Sequence, residues 1–300
     1  MNKMRIPLII TLVVAAIGII FGSFFDLQIS RAIASPNNNF ALTVSAIGPT
    51  IGFAAVAMMG GGFIAFIKKG TYHIALKILF GVLAAACLGV SIYYTHSEYF
   101  GINGFYGAAP TWAGYFIVVI PECAALVGGY FLFKDYQNQN LWIVFCIIIV
   151  LLLVALVAVV PILKDIIRRP RFRLLLAFED NPDIYFHNWW EPTKNYKELM
   201  ETYNIPKDNF KSYPSGHTAE VSILLVAFTF LPLINKKFEK YQLPLFLGGC
   251  GLVLLVAIAR ILAAAHFLSD VSWAAAIVIT LTIIANEIIM RFKSLQIVEE

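Results

Sequence analysis

Long apolar stretches alternate with short polar segments along the chain, and this pattern predicts a series of helices that cross a membrane. An apolar run of about twenty residues is long enough to span the hydrocarbon core of a bilayer as a helix. The chain contains such runs at 6–25, 46–67, 74–94, 113–133, 141–163, 218–234, 243–262 and 271–290. The pattern therefore predicts an all-α, polytopic membrane helix bundle of about eight transmembrane helices, forming a single domain over residues 1–300.

Three of these runs have features that refine the prediction. The run at 218–234 is the shortest and carries Pro232 near its end, so its helix rests on the weakest signal. The run at 46–67 contains consecutive glycines at 60–62, which predict close contact with another helix rather than a break. The run at 6–25 is too long for the apolar part of a signal peptide and no small-residue cleavage site follows it. We therefore expect it to remain in the bundle.

Basic residues in the short loops predict the orientation of the bundle. With eight spans, nearly all of them fall on the side that holds both termini: Lys3, Arg5, Lys68, Lys69, Lys134, Lys236, Lys237, Lys240, Arg291 and Lys293. The opposite short loops, 26–45 and 95–112, carry only Arg31. Because positively charged loops mark the cytoplasmic side, we expect both termini in the cytoplasm. We expect a bacterial plasma membrane as the location; in a eukaryotic cell the same topology would place the opposite side in a lumen.

The composition agrees with a membrane protein and excludes several other classes. Hydrophobic residues make up 60% of the 300 residues and charged residues only 13%, about half the charged fraction of a typical soluble domain. An ordinary soluble domain, a disordered chain and a disulfide scaffold are thereby excluded. The formal net charge is +4 and no polybasic segment occurs, so we expect membrane lipids as partners and no nucleic acid.

The polar segment 164–217 departs from the charge bias of the other loops. It is rich in Lys and Arg although the predicted topology places it on the outer side. This concentration of basic residues on the outer side predicts a local anionic partner. The segment also contains Trp189 and Trp190, which we expect to anchor it at the membrane interface.

Three polar clusters, at 164–171, 214–217 and 260–270, lie at the predicted outer ends of the spans and therefore on one face of the membrane. In the second cluster Ser215 is suited to cap a helix, and Gly216 allows an anion to approach the free N–H groups there. Lys164, Arg171 and Arg260 supply positive charge, and guanidinium groups match phosphate oxygens well. Singly, these residues also suit a plain helix cap or lipid headgroup contacts. Their occurrence on one face favours a phosphate site.

His266 and Asp270 in the third cluster are four residues apart, which on a helix places them on one face. Asp270 would then accept a hydrogen bond from one ring nitrogen and leave the other free as a nucleophile. Both could instead be metal ligands, but the charged residues of the clusters are mostly cations, which repel a metal ion. No set of Cys and His residues has ligand spacing. We therefore expect no metal ion and no other cofactor.

Together these residues resemble the type 2 phosphatidic acid phosphatase superfamily, whose signature is K-x6-R-P, P-S-G-H and S-R-x5-H-x3-D. All three spacings occur within residues 164–270. Phe172 stands where the family usually has Pro, and Ala259 stands where Ser is usual. Neither position carries the expected chemistry, so the departures concern substrate fit rather than activity. Six spans are usual in the family, and eight would mean two additional helices among the first four.

The resemblance implies a metal-independent phosphatase with a covalent phosphohistidine intermediate. It implies His266 as the nucleophile, Asp270 as the residue that orients it, and His217 as the general acid for the leaving alcohol. It also implies five residues that hold the phosphoryl oxygens: Lys164, Arg171, Ser215, Gly216 and Arg260. On this basis residues 141–290 hold the catalytic helices and the outer segment 164–217, and residues 1–135 hold accessory and core helices.

The position of the clusters at the outer ends of membrane helices favours a lipid phosphate as substrate, of the phosphatidic acid, phosphatidylglycerol phosphate or isoprenyl diphosphate class. Two other functions fit the pattern: hydrolysis of a soluble sugar phosphate, and transport of a lipid phosphate without hydrolysis. The histidine–aspartate pair disfavours transport, because binding needs only cations, and eight spans disfavour a vanadate-dependent peroxidase. Glu122, Glu220 and Glu287 lie in or near apolar runs and are assigned no role.

Overall fold

The computed structural model describes residues 2–100, 112–136 and 138–291, and every regular element in these ranges is helical. The α-helices are α1 (Asn2–Ile33), α2 (Asn39–Lys69), α3 (Ile74–Phe100), α4 (Trp112–Phe133), α5 (Leu141–Leu153), α6 (Val160–Ile167), α7 (Phe172–Ala177), α8 (Tyr196–Tyr203), α9 (Gly216–Val221), α10 (Ile223–Phe230), α11 (Glu239–Leu262) and α12 (Leu268–Arg291). Lys293 and most of the predicted loop 95–112 lie outside the described residues.

Within the described residues, eight helical spans are long and apolar enough to cross a membrane, and each overlaps one predicted run. The prediction of an all-α, polytopic bundle is therefore confirmed. The sixth span, Gly216–Leu233, differs from the single helix expected there. It consists of α9, α10 and a 3₁₀ turn, Leu231–Leu233, that contains Pro232. Proline has no N–H to continue an α-helix, which explains the change of winding.

The packing separates two of the first four helices from the rest. α1 packs along α12, and α2 packs against α9 and α11. α3 and α4 pack mainly against α2 and against each other. They therefore form a hairpin on one side of a bundle made by the other six spans, which we call the six-span core.

Glycines allow α2 and α4 to approach closely, as the glycines at 60–62 predicted. A methyl group placed on Gly61 would lie 2.0 Å from the carbonyl oxygen of Leu126. On the facing helix, a methyl group on Gly129 would lie 2.0 Å from the carbonyl oxygen of Met58. Atoms in normal contact are about 3.5–4.0 Å apart, so a side chain at either position would push the two helices apart.

The fifth span changes its winding before the polar segment 164–217. A π-helical segment, Val154–Val159, separates α5 from α6, and Pro161 follows in the first turn of α6. A π-helical turn accommodates a residue that interrupts the regular hydrogen bonding. α6 ends at Arg168, whose φ of 51° is left-handed and turns the chain into the outer segment. Lys164 thus lies in the last turn of α6, where the outer segment 164–217 begins.

The outer segment 164–217 folds into a small unit with its own apolar core rather than a loose loop. The side chains of this core come from α7, α8 and the turns around them: Leu174, Ile184, Leu199, Ile205 and Phe210. Several of its basic side chains are paired within the chain, among them Arg168 with Asp165 and Arg173 with Asp208.

Trp189 fastens the outer segment to the transmembrane bundle. Its Nε1 donates a hydrogen bond to Ser23 Oγ of α1 at 3.0 Å, and its ring packs against Tyr213 and Trp273. Trp189 is partly buried by these contacts, and its expected role as an interfacial anchor stays a prediction. Trp190 is 47% exposed and remains available for such a role.

Candidate active site

The second polar cluster begins α9, and Ser215 caps this helix as predicted. Its Oγ accepts hydrogen bonds from the backbone N–H and the hydroxyl of Thr218, at 3.4 Å and 3.0 Å. The backbone N–H of Ser215 donates to the carbonyl of Asp270 at 3.1 Å, which joins the second cluster to the third. A methyl group on Gly216 would meet only a carboxylate oxygen of Glu220, at 3.6 Å. The backbone at Gly216 is therefore open to an incoming group.

The third cluster is not arranged on one helix, contrary to the expectation for His266 and Asp270. Arg260 lies in the last turn of α11, and α12 begins only at Leu268, so His266 lies in the connection between them. The helix starts there because Asp270 Oδ2 accepts the N–H of Phe267 at 2.9 Å. An acidic side chain at the third helical position commonly satisfies the cap residue in this way.

The His266 ring is held by a backbone carbonyl rather than by Asp270 directly. Its Nδ1 lies 2.6 Å from the carbonyl oxygen of Ser212, but 3.8 Å from Asp270 Oδ2, too far for a hydrogen bond. Because a carbonyl can only accept, Nδ1 carries the proton and the lone pair is on Nε2. Burial lowers the pKa of the His266 imidazole well below its usual value, and Arg260, Arg171 and Lys164 act in the same direction. The ring is therefore neutral.

Asp270 fixes the His266 ring through neighbouring groups. Its Oδ2 accepts the hydroxyl of Ser212 at 2.5 Å, and the carbonyl of the same serine accepts the ring N–H. Its Oδ1 accepts a hydrogen bond from Arg169 at 2.6 Å. Asp270 is fully buried, and its acceptor oxygens are engaged on both sides. The predicted role of Asp270 in orienting the ring is thus compatible with an indirect geometry.

Arg169 links Asp270 to the first helix of the chain. Its guanidinium is completely buried and also donates to Asp26 Oδ2 at 2.9 Å, to Ser269 Oγ at 2.9 Å and to the carbonyl of His187 at 2.8 Å. Asp26 in α1 accepts the backbone N–H of Ser269 as well, at 2.9 Å. Buried charges are tolerated when they are paired and hydrogen-bonded, and here one guanidinium lies between two carboxylates that both accept hydrogen bonds from it.

The first cluster contributes Lys164 and Arg171, and α11 contributes Arg260. Lys164 Nζ donates to the carbonyl of Lys211 at 2.9 Å, and Arg171 pairs with Asp208 at 2.9 Å. Arg171 and Arg260 are each only 8% exposed, and the Nε of each has no hydrogen-bond partner. Arg260 forms no ion pair with any residue in the described ranges. An unpaired buried cation is costly, so this arrangement fits a bound anion.

The three predicted cations converge on His266, and two of them also lie near His217. Lys164, Arg171 and Arg260 all act electrostatically on His266, and the two arginines also act on His217. The fold therefore brings the three polar clusters together on one side of the bundle, although they are separated by about 100 residues of chain.

His217 faces two carboxylates whose role the sequence did not indicate. Its Nε2 lies 2.8 Å from Glu98 Oε2 of α3, and its Nδ1 lies 3.9 Å from Glu220 Oε2. One potential ligand atom from each of the three residues lies within 4.8 Å of the others, a spacing compatible with a metal ion. The arginines that act on the same histidine oppose a cation there.

Four residues of the site, Asp26, Glu98, Arg169 and Ser212, received no role from the sequence. Asp26 had a detectable signal, because it directly follows the apolar run at 6–25, and acidic residues in such positions are often functional. Arg169 lies between Lys164 and Arg171, but spacing alone does not say which arginine turns inward. Ser212 and Glu98 had no signal, because their contacts join distant parts of the chain.

Comparison with known proteins agrees with the motifs. The model of the PAP2 superfamily matches residues 141–293, about half of the chain, from α5 to just beyond the end of α12. No curated protein and no solved structure gives a significant match.

Proposed function

The chain belongs to the PAP2 superfamily, and we propose that it removes the phosphoryl group of a lipid phosphate, at the outer face of the membrane, through a phosphohistidine intermediate. The superfamily consists of phosphatases, so the protein is an enzyme that hydrolyses phosphate esters. The lipid nature of the substrate, the covalent intermediate, the residue roles and the membrane face are our proposal.

The observation that carries the proposal is a pair of buried, incompletely satisfied arginines beside a neutral histidine. Arg171 and Arg260 each keep an unpartnered Nε in a site from which water is largely excluded. Fixed cations in such a site stabilise the charge that spreads over the phosphoryl oxygens during transfer. The neutral His266 ring, with its lone pair on Nε2, is the nucleophile that such a site requires.

The proposed reaction has two steps, transfer of the phosphoryl group to His266 and hydrolysis of the phosphohistidine. The Nε2 lone pair of His266 forms a bond to phosphorus while the bond from phosphorus to the alcohol oxygen breaks, and His217 gives a proton to that oxygen. Water then attacks phosphorus, the nitrogen–phosphorus bond breaks, and His217 takes a proton from the water. Both histidines return to their starting states, and the products are the alcohol and inorganic phosphate.

The surroundings of the site support a lipid substrate on the outer side. Lys164, Ser215 and Arg260 lie at the ends of spans in which many side chains that face away from the protein are apolar. A phosphate headgroup at this level leaves its hydrocarbon chain beside the helices. The basic residues of the short loops lie at the opposite ends of the spans, which favours an extracytoplasmic site.

The experiment that tests the proposal measures phosphate release by purified protein in a strong chelator. The substrates are phosphatidic acid, farnesyl phosphate and glucose 6-phosphate, and His266→Ala is the control variant. We expect release from the lipids, inhibition by vanadate, and an acid-labile phosphoenzyme that the variant lacks. Preference for glucose 6-phosphate would support a soluble substrate instead.

The same experiment tests the metal-compatible group of Glu98, His217 and Glu220. If these residues act without a metal, activity survives the chelator. Loss of activity that one divalent ion restores would contradict the proposed mechanism and identify the group as a metal centre.

A further inference from the structure

The hairpin of α3 and α4 contributes a charged side chain directly to the candidate active site. Glu98, in the last turn of α3, places Oε2 2.8 Å from His217 Nε2. Both side chains are about 20% exposed, so the contact lies inside the site rather than on the protein surface. The general acid proposed for the leaving group is therefore accompanied by a carboxylate from outside the six-span core.

A second carboxylate lies on the other side of the same ring. Glu220 of α9 places Oε2 3.9 Å from His217 Nδ1, and this oxygen has no hydrogen-bond partner. The phosphoryl side of the site, by contrast, is defined by Lys164, Arg171 and Arg260. The part of the site around His217 thus carries two carboxylates, although Arg171 and Arg260 act electrostatically on this ring as well.

Beyond Glu220 the leaving-group side continues into an apolar cavity. The cavity has a volume of about 190 Å³ and lies between α2, α3 and the fifth span. Among the described residues that line the cavity, Glu220 is the one carboxylate. Most of the others are apolar, including Leu83, Val90 and Leu156. Val90 is 42% exposed, so the cavity is open toward the surface that faces the bilayer.

We propose that this side of the site accepts an uncharged, apolar alcohol, so that the substrate is a lipid phosphomonoester rather than a lipid diphosphate, and that Glu98 determines this preference. The inference rests on the proposed function and narrows its substrate class. A monoester leaves as a neutral alcohol once His217 has protonated it, and the cavity lined by Glu220 offers apolar side chains to the part of its hydrocarbon chain nearest the oxygen. A diphosphate would instead leave as a charged phosphate ester beside Glu98 and Glu220, and like charges in close contact are strongly disfavoured.

Glu98 acts here as a specificity-determining residue and not as a participant in bond making. Its carboxylate stabilises the protonated form of His217, which a poor alkoxide leaving group needs and a phosphate leaving group needs far less. Removing the charge therefore has opposite consequences for the two substrates. It weakens the acid for the monoester, and it removes repulsion for the diphosphate.

The test compares initial rates on farnesyl phosphate and farnesyl diphosphate, which share one hydrocarbon chain, for the wild type and Glu98→Gln. We expect the wild type to favour the monophosphate, and the variant to change the ratio of kcat/KM toward the diphosphate by about tenfold or more. Glu122→Gln is the matched control, since Glu122 lies in the same hairpin but bonds Thr95, at 2.9 Å. This control should keep the wild-type ratio.

A binding measurement keeps the inference testable if Glu98→Gln loses most activity. In the His266→Ala background, which cannot form the phosphoenzyme, farnesyl phosphate should bind more tightly than farnesyl diphosphate, and adding Glu98→Gln should reverse or abolish that order. The inference is overturned if the two lipids bind equally well in both backgrounds, or if the wild type hydrolyses the diphosphate as fast as the monophosphate. Either result leaves the proposed function intact. Absence of phosphate release from either lipid by the wild type overturns the proposed function, and this inference with it.

Discussion

His217 and His266 lie in the same site, but their surroundings suit them to different tasks. His266 has a fixed tautomer and a free lone pair, whereas His217 has a carboxylate on each side. If His266 forms the bond to phosphorus, it is needed whatever group leaves. If His217 only protonates the departing oxygen, its importance depends on how poor the leaving group is.

Replacing His217 by Ala should therefore reduce kcat/KM for a lipid phosphate by about 10²–10⁴-fold, the usual contribution of general acid catalysis. The loss should be much smaller for nitrophenyl phosphate, because nitrophenolate leaves without a proton. Replacing His266 by Ala should abolish both reactions. Equal losses on the two substrates for the His217 variant would show that this residue binds phosphate or supports the fold instead.

The lowered pKa of buried His266 predicts how the free energy of unfolding changes with pH. A histidine in the unfolded chain has a pKa of about 6.5, whereas burial keeps the native ring neutral. Below pH 6.5 the unfolded state takes up a proton that the native state does not. His266 should therefore lower the free energy of unfolding by up to about 1.4 kcal/mol for each pH unit below 6.5.

Thermal unfolding of detergent-solubilised wild type and His266→Gln between pH 7.5 and pH 5 measures this effect. The wild type should lose more stability than the variant as the pH falls, with no divergence above pH 7. Parallel curves over the whole range would contradict a neutral, buried ring.

The residues that form the site could be predicted from the sequence better than their contacts. Lys164, Arg171 and Arg260 lie close enough to His266 to act on it electrostatically, while the roles that the motifs imply for them stay predictions. The partner of the His266 ring could not be predicted, because it is a backbone carbonyl 54 residues away in the chain. The contact between Glu98 and His217 likewise depends on how a separate hairpin packs.

At the scale of helices, α1 is joined to the catalytic part of the bundle through Asp26. Asn in place of Asp26 would leave Arg169 with a weaker partner and Ser269 less firmly held. A displacement of about 1 Å can cost about 10²-fold in rate, so Asp26→Asn should lower kcat by about tenfold to a hundredfold. KM should change little, because Asp26 does not touch the predicted phosphate-binding residues.

Ser23→Ala is the matched control for Asp26→Asn, since Ser23 lies one turn earlier in α1, where its hydroxyl donates to the carbonyl of Ile19 and accepts from the indole of Trp189. It should keep wild-type kcat. A rise in KM without a fall in kcat for Asp26→Asn would contradict the positioning role, as would full activity.

The contact between α2 and α4 can be tested with two adjacent glycines. Gly129→Ala would place a methyl group 2.0 Å from the Met58 carbonyl oxygen, and overpacking of this kind typically costs about 1–3 kcal/mol. Gly128→Ala meets no atom within 4 Å and should be neutral or slightly stabilising. Thermal unfolding of the two variants measures the difference, and equal midpoints would show that the hairpin tolerates separation from α2.

Helix number and approximate position followed from apolar run length, because a membrane leaves few alternatives for an apolar segment of this size. The interruption of the sixth span and the π-helical segment before Pro161 did not follow. Both depend on local hydrogen bonding, which the length of an apolar run does not indicate. The two helices outside the six-span core could be identified only from their packing against α2.

At the scale of the whole molecule, the orientation in the membrane remains a prediction from the charged loops. A variant without Cys87, Cys123, Cys146 and Cys250 provides the background for single cysteines at Asn195, in the outer segment, and at Asn138, between the fourth and fifth spans. An impermeant thiol reagent added to intact cells should label position 195 and leave position 138 unlabelled until the cells are opened. Labelling of position 138 alone would reverse the proposed topology.

The network of Asp26, Arg169 and Ser269 joins the first helix of this sequence to the final one. During synthesis, α1 enters the membrane long before α12, and until then Arg169 lacks Asp270 and Ser269. His266 is also not in place before that stage, since the turn that holds it is completed by the start of α12. Catalytic competence should therefore arise abruptly, when the last helix of this sequence is inserted, and a partly synthesised chain should not hydrolyse the lipids around it.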